Sequence, residues 1–202
     1  MSEENLTPSK SLVNLLELID EFYGEPIGHS ELGDFIKQTS IPQPYSKLLD
    51  HHAHMTVTVE AHAGEPVDVQ VHANHQRGQW YAREITLVTQ HTQRVVQYGI
   101  VRLDTTKLAP VVWKQIESQQ IPLGRVLIQH DVLREVELCD LWHIRAGRSL
   151  ASKMNQTEGT TLYGRTALIH CDRMRRLNSL RLSIAAKKLG VNNQKLEEFI
   201  AV

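Results

Sequence analysis

The chain has 202 residues, which is long enough for one domain with a hydrophobic core and short for two. Hydrophobic residues make up 41% and charged residues 22%, with a net charge of −1, so the composition excludes disorder as the default state. No run approaches the roughly 18 apolar residues that a membrane-spanning helix needs, and the polar, acidic start is unlike a signal sequence. These features predict a cytoplasmic protein without a membrane partner.

Charge is distributed unevenly along the chain. Residues 1–40 contain eight acidic and two basic residues, whereas residues 173–188 contain six basic and no acidic residues. A basic segment can bind nucleic acid, but no recognition-helix pattern and no interleaved aromatic residues accompany this one. We therefore expect a solvated face, or a match to the acidic N-terminal region, and no nucleic-acid partner.

The N-terminal region, 8–40, is predicted to be helical. Thr7 is a suitable N-cap for a helix with Pro8 in its first turn, and apolar residues then follow at helical spacing. These apolar residues are Leu12, Leu15, Leu16, Ile19 and Phe22. A second short helix is predicted from Ser30. Its buried residues are expected to be Leu32, Phe35 and Ile36.

From residue 55 the pattern changes to alternation with a period of two, which is typical of strands. Residues 55–59 and 67–71 flank the turn signal Gly64-Glu65-Pro66 and are predicted to form a β-hairpin, as are 80–88 with 95–103. Further strands are predicted at 126–128, 134–138, 166–171 and 180–184. Short connections favour antiparallel pairing, so the predicted class is α+β, with a single antiparallel sheet flanked by helices.

Two more helices are predicted in the second half of the chain. Residues 110–118 suit a helix with Pro110 in its first turn. A short final helix is predicted after Gly190, capped by Asn192 or Asn193. It would contain Leu196, Phe199 and Ile200. No domain boundary interrupts the pattern, so 1–202 is interpreted as one domain.

Arg83 is the first candidate functional residue. In the predicted strand, alternation places it on the same side as Tyr81, Ile85 and Leu87. An arginine on an apolar face needs an anion, because burying it unpaired costs several kcal/mol. Its planar fork suits a carboxylate bound at two points. The alternative is a structural Asp or Glu partner within the chain, for which Glu84 points in the wrong direction.

The second candidate is the segment Ile121-Pro122-Leu123-Gly124-Arg125. A proline before Leu123 and a glycine after it predict a tight turn between the helix at 110–118 and a strand. Such a turn can offer backbone N–H groups to an anion.

Three histidines, His51, His52 and His54, crowd the start of the predicted strand at 55–59. In an extended segment, His52 and His54 would share a face and could bind one zinc ion. No HExxH motif or Cys/His spacing supplies the remaining ligands, so we expect neither a metal nor a cofactor. Nucleophilic catalysis is not indicated either, since no GxSxG occurs and Cys139 and Cys171 form no CxxC pattern.

Four segments in the same order resemble the chorismate pyruvate-lyase family. The family strand Trp-x-Arg-Glu-Ile is matched by Tyr81-Ala82-Arg83-Glu84-Ile85, and its Pro-Leu-Gly-Arg by Pro122-Leu123-Gly124-Arg125. An aromatic-Gly-Arg sequence that opens a strand is matched by Tyr163-Gly164-Arg165-Thr166. Residues 48–56 fit the segment that carries a pocket methionine. The resemblance covers about 42–172 and is closest to a lyase-like branch that shares His54-Met55-Thr56.

The resemblance implies a small antiparallel sheet flanked by helices, with a ligand enclosed beneath flaps. It implies that Arg83 pairs with the carboxylate of an aromatic acid such as 4-hydroxybenzoate and is the catalytic candidate. It implies that Leu123 and Gly124 contribute backbone contacts and that Met55 lines the pocket. The family reaction cleaves chorismate to 4-hydroxybenzoate and pyruvate without metal or cofactor.

The sequence departs from the family in its C-terminal segment, 173–202. In the family, a glutamate on the last strand binds the ligand hydroxyl, and an ungapped register places that position at Leu180. General acid–base help supplies about 10²–10⁴-fold in rate, so its loss predicts slow or undetectable lyase activity. Two hypotheses remain: a chorismate-lyase-like enzyme, or a non-catalytic ligand-binding relative akin to the sensor domains of some transcription regulators.

Overall fold

The computed structural model describes residues 14–24, 27–171 and 194–201. The helices in these ranges are α1 (Leu15–Asp20), α2 (Ile27–Leu32), α3 (Tyr45–Leu49), α4 (Met55–Ala63), α5 (Pro110–Glu117), α6 (Leu123–Gln129) and α7 (Arg148–Lys153). The strands are β1 (Gly33–Gln38), β2 (Val67–Arg77), β3 (Trp80–Thr89), β4 (Val95–Asp104), β5 (Leu133–Ala146), β6 (Thr161–Cys171) and β7 (Gln194–Ala201). No helix in the described ranges is both long and apolar enough to cross a membrane.

The described strands form two three-stranded antiparallel sheets, β1-β5-β6 and β4-β3-β2. Strand β7 pairs with β6 on one side and with β4 on the other, so it lies between the two sheets. The predicted α+β class and antiparallel pairing are confirmed. The prediction of a single sheet is right only in part, because two sheets meet through one further strand.

Helices cover both faces of the strands and create two hydrophobic cores. The first core lies under α4, α5 and α6, and the second lies under α1, α2 and α7. Alternation along β4 assigns side chains to the two cores: Val101 and Leu103 belong to the first, whereas Tyr98 and Ile100 belong to the second. Both faces of the strands are therefore buried, which explains why polar residues on them need internal partners.

The N-terminal prediction of a helix is confirmed over Leu15–Asp20 (α1), which has Asn14 and not Thr7 as its N-cap, and the prediction of the next element is wrong. Helix α1 begins after Asn14, whose side chain accepts a hydrogen bond from the backbone N–H of Leu16. Thr7 and Pro8 lie outside the described residues. The helix expected from Ser30 instead ends at Leu32, and Gly33, with a φ of 118°, turns the chain into β1. At Gly33 a side chain would collide with backbone atoms of Arg145, Ala146 and Gly147. The change from α2 to β1 at this position therefore requires glycine.

The strand predicted at 55–59 is wrong, since Met55–Ala63 forms helix α4. Its β-branched Thr and Val residues favour strands locally, but the packing follows helical spacing: Met55 and Val59, one turn apart, are both buried, whereas Val57 is exposed. His54 caps the start of the helix and Gly64, in the left-handed conformation, ends it. Strand β2 consequently pairs with β3 rather than with residues 55–59.

The remaining predictions are confirmed in some segments and wrong in others. The hairpin of β3 and β4 and the helix beginning at Pro110 are confirmed, and the strands at 134–138 and 166–171 fall within β5 and β6. The strand at 126–128 is wrong, because these residues belong to α6. The final helix is also wrong, because Gln194–Ala201 is a strand that pairs with β4 and β6. The strand expected at 180–184 lies outside the described residues.

Candidate functional site

A cavity of about 60 Å³ lies between the first turns of α4 and α6 and the hairpin of β3 and β4. All four residues that the sequence predicted for the site line it, namely Met55, Arg83, Leu123 and Gly124. The other lining residues are His54, Thr56, Ile85, Leu87, Gln97, Gly99, Ile100, Val101, Pro122 and Ile169. Apolar side chains dominate this wall, and a few polar groups interrupt it. This composition is typical of small-ligand sites.

Arg83 lies in the middle of β3 with 1% of its surface exposed. Its Cα partner on β4 is Val101, a residue of the first core. Tyr81, Ile85 and Leu87, which alternation places on the same side as Arg83, also belong to the first core or pack against it. Nearby, the buried hydroxyl of Tyr81 has a raised pKa, because burial outweighs the opposing effect of the Arg83 charge. The guanidinium therefore contributes a positive charge to an otherwise apolar wall.

Gln97 is the polar residue at the other end of the same strand pair. It is 6% exposed, and its Oε1 makes no hydrogen bond to the described part of the chain. The register Arg83–Val101, Ile85–Gly99 and Leu87–Gln97 places Gln97 four residues from the Arg83 rung. That separation is about 13 Å between the two rungs. Gly99, midway between them, contributes no side chain and leaves space above the strand.

His54 lies directly before α4 and caps it. Its Nδ1 accepts a hydrogen bond from the backbone N–H of Thr56, at 3.3 Å. Burial, together with a smaller effect of the positive charge of Arg165, lowers the pKa of His54 to about 4. The imidazole is therefore neutral at neutral pH.

The segment predicted as a tight turn is the start of α6, where Pro122 is the N-cap and Leu123 begins the helix. Gly124 faces His54 so closely that a Cβ atom at this position would lie 1.6 Å from Cε1 of the imidazole. A side chain at 124 and the observed position of His54 exclude each other. Gly124 is thus required for close packing of the two helix starts rather than for an unusual backbone conformation.

Arg165 on β6 holds the loop that precedes α4. Its Nη1 donates to the carbonyl oxygens of Leu49 and His51, at 3.2 and 2.7 Å, and its Nη2 donates to the carbonyl oxygen of Ala53, at 3.1 Å. The side chain is fully buried, and burial lowers its pKa to about 10, so it remains charged at neutral pH. The third motif of the resemblance therefore fixes the backbone that presents His54 and Met55 to the cavity.

A salt bridge between Glu60 of α4 and Arg125 of α6 links the two helices that cover the cavity. The Oε1 of Glu60 also accepts a hydrogen bond from the backbone N–H of Val67, at 3.0 Å. Both charged side chains are about a quarter exposed. The bridge is thus a surface connection, of the kind worth roughly 1 kcal/mol or less.

Glu84, the neighbour of Arg83, faces the second core. Its Oε1 accepts hydrogen bonds from the hydroxyls of Tyr23 and Tyr98, at 2.5 and 2.7 Å, and pairs with Nζ of Lys153 at 3.1 Å. Lys153 also donates to Tyr23 and to Ser149. Burial and the adjacent carboxylate raise the pKa of Tyr98 well above its usual value. The orientation predicted for Glu84, away from Arg83, is confirmed.

The histidine cluster is used for hydrogen bonds to the backbone. His51 bonds to the carbonyl of Leu48 and to the N–H of Ala53, and His52 bonds to the carbonyl of Val136. Within the described ranges, no three or more His, Cys, Asp or Glu side chains converge as metal ligands. Because His51, His52 and His54 point to different partners, the shared face that a zinc site needs is not formed.

Sequence reasoning did not assign several lining residues to the cavity wall, and His54 and Gln97 are polar residues among them. Gln97 lies on the same face of its strand as Val101 and Leu103, so the alternation in sequence already predicts that it faces the first core. The sequence indicates His54 as a possible zinc ligand and as part of the motif His54-Met55-Thr56, whereas its role as a helix cap depends on α4.

Leu180, the position expected for the family glutamate, lies outside the described residues. The described strand that pairs with β6 and β4 is β7, whose sequence includes Glu197 and Glu198. The Cα partners of Glu197 are Leu103 and Ile169, and Ile169 lines the cavity. A glutamate therefore does occupy a strand position beside the cavity wall.

No protein-family model matches this chain, and no curated protein matches it either. The resemblance to chorismate pyruvate-lyases thus rests on the four sequence motifs. Three of them contribute residues to the wall of one cavity, and the fourth supplies Arg165, which holds the loop beside it.

Proposed function

We propose that this chain binds a small aromatic carboxylate, such as 4-hydroxybenzoate, in the cavity between α4, α6 and the hairpin of β3 and β4, within a chorismate-lyase-like fold. The observation that carries the proposal is Arg83, a buried guanidinium in an apolar cavity wall that also contains the three other residues of the resemblance. A planar guanidinium binds a carboxylate at two points, and an aromatic ring suits the apolar remainder of the wall.

The size of the cavity adds a requirement. Benzene occupies a cavity of roughly 150 Å³ in an engineered protein, whereas this cavity measures about 60 Å³. An aromatic acid therefore needs a larger cavity than this structure contains, and we expect movement of the covering helices α4 and α6 to provide it. Such movement is consistent with the flaps that the resemblance implies.

Calorimetry with 4-hydroxybenzoate tests the proposal on wild type, Arg83→Ala and Arg83→Lys. Truncating one partner of a buried charge pair also leaves the other charge unpaired, so Arg83→Ala is expected to weaken binding by roughly 2–4 kcal/mol, or about 30- to 1,000-fold. Arg83→Lys is expected to recover only part of this, because an ammonium cannot reproduce the two-point contact. If Arg83→Ala is folded by circular dichroism and binds as tightly as wild type, the arginine is structural and the pocket assignment fails.

A lyase reaction on chorismate is the second candidate function, and the position of Glu197 favours it. Its Cα partner on β6 is Ile169, a residue of the cavity wall, so a glutamate occupies a position of β7 next to that wall. Wild type and Glu197→Gln are incubated with chorismate, and pyruvate and 4-hydroxybenzoate are followed by chromatography. Turnover near 1 s⁻¹ in wild type that is lost in the variant supports the enzyme. Undetectable turnover with intact 4-hydroxybenzoate binding leaves the non-catalytic binding function.

A further inference from the structure

The imidazole of His54 carries an unused hydrogen-bond donor in the cavity wall. Its Nδ1 accepts the N–H of Thr56 and so bears no proton. In a neutral imidazole the proton then lies on Nε2. Nε2 is buried and makes no hydrogen bond to any described residue. A buried donor without a partner costs about 1–3 kcal/mol, which indicates that something outside the described chain satisfies it.

We propose that Nε2–H of His54 donates a hydrogen bond to the carboxylate of the bound acid, as a second anchor beside Arg83. The inference rests on the proposed function and adds a specificity-determining residue to it. His54 and Arg83 line the same cavity, so both side chains border the space that the proposed function assigns to the acid. A carboxylate has two oxygen atoms with about four acceptor positions, enough for a guanidinium and an imidazole together.

The electrostatic surroundings of His54 favour an anion as the acceptor. The charge of Arg165 is close enough to lower the pKa of His54, and the same positive potential stabilises a negative group beside the ring. His54 also lies at the N-terminus of the nine-residue helix α4, where the helix dipole adds positive potential. A neutral donor in a positive potential binds a carboxylate without the cost of burying a second charge.

Gly124 provides the space for this donor. A Cβ at residue 124 would lie 1.6 Å from Cε1 and 2.4 Å from Nε2 of His54, so the ring reaches its position only because residue 124 has no side chain. Gly124→Ala is therefore expected to displace the imidazole and weaken binding of the acid as His54→Ser does. In the His54→Ser background the same change is expected to cause no further loss.

Calorimetry on the full chain tests the proposal with 4-hydroxybenzoate, benzoate and phenol. His54→Ser keeps an N-cap oxygen for α4 and removes the ring donor. It is expected to weaken binding of both acids by about 10- to 100-fold. The affinity for phenol, which has no carboxylate, is expected to change by no more than about twofold. The matched control is His62→Ser on the exposed side of the same helix, for which no change is expected. Equal binding of benzoate by wild type and His54→Ser would overturn the proposal.

Nitrogen NMR of the wild-type imidazole provides a second measurement that does not depend on a variant. Protonation of Nε2, with a shift of that resonance on adding benzoate, is expected, whereas protonation of Nδ1 would overturn the inference. The outcomes also separate the two proposals. If Arg83→Ala weakens binding but His54→Ser does not, only the role of His54 is wrong. If wild type binds neither acid, the proposed function fails and the role of His54 fails with it.

Discussion

Two buried charges follow one another on β3 and lie in opposite environments. Glu84 faces the second core, where two tyrosine hydroxyls and an ammonium surround its Oε1 within 3.1 Å. Arg83 faces the first core, where its side chain lines a cavity. The carboxylate of Glu84 is enclosed by matched donors, which gives it a structural role, whereas the guanidinium of Arg83 borders open space. Burial alone does not separate a structural charge from a functional one, so the two residues are compared by experiment.

The largest expected effect is a difference in the free energy of unfolding between variants of these two residues. Glu84→Ala leaves Lys153 and two tyrosine hydroxyls without their acceptor and is expected to lower the free energy of unfolding by about 3–5 kcal/mol. Arg83→Ala is expected to lower it by less, because water can enter a cavity that already exists. Urea unfolding of both variants measures the difference. Equal losses would show that Arg83 is as structural as Glu84.

The next effect concerns His54, which lies on the cavity side and is neutral. Its pKa of about 4 lies below the usual 6.5, so the folded state disfavours its protonation. Protonation of His54 therefore does not reduce the free energy of unfolding above pH 6.5. As the pH falls from 6.5 towards 4, the free energy of unfolding is expected to decrease by about 3 kcal/mol. Unfolding is measured from pH 7 to 4 in wild type and in His54→Asn, which keeps a cap. Parallel curves for the two proteins would contradict the assignment.

A smaller effect is expected at Gln97, the polar residue at the other end of the cavity. Gln97→Leu removes a buried hydrogen-bonding group and keeps a similar volume. If Gln97 binds the ring hydroxyl, the change is expected to weaken binding of 4-hydroxybenzoate by about 1 kcal/mol, or roughly fivefold. Binding of benzoate, which lacks the hydroxyl, is expected to stay unchanged. Calorimetry with the two acids provides the comparison. A similar loss for both acids would mean that Gln97 shapes the cavity instead of binding the hydroxyl.

The smallest effect is expected at the salt bridge that links α4 and α6. Glu60→Gln keeps an oxygen that can accept from the N–H of Val67 and removes the charge that pairs with Arg125. Because the bridge is partly exposed, the change in stability is expected to stay below about 1 kcal/mol. Release of the ligand is expected to be faster, by a few-fold, if these helices must separate. Stopped-flow measurement of dissociation tests this, and an unchanged rate would exclude the bridge as a barrier to release.

The sequence predicted the parts of the fold in which local pattern and tertiary packing agree. The hairpin of β3 and β4 follows its alternation, and Arg83 therefore lies where it was expected. In α4 the β-branched residues favour a strand, but burial of Met55 and Val59 one turn apart favours a helix. Strand β7 shows the opposite conflict, since its apolar residues suggested a helix and its pairing with β4 and β6 requires neighbours distant in sequence.

The wrong prediction of a strand at 55–59 also explains why the role of His54 in the site was not predicted. Met55, Leu123 and Gly124 line the cavity even though their secondary structure was wrong, because the resemblance concerned individual residues. The zinc hypothesis for His54 rests on an extended segment at 52–54, which would place it on one face with His52. Once these residues form a helix, His54 is its cap and only one nitrogen remains for a ligand. Its role depended on an element that local propensity could not predict.

Arg165 has a consequence for how this protein can change in evolution. It holds the loop before α4 largely through carbonyl oxygens, which every amino acid possesses. An exposed loop residue such as Ala53 can therefore be replaced without altering the path of the backbone, provided that the arginine stays. Among related sequences we expect variation at the exposed loop positions and an invariant arginine on the distant strand. In a survey of such sequences, the residue that holds this loop, Arg165 on β6, would then be better preserved than the residues of the loop.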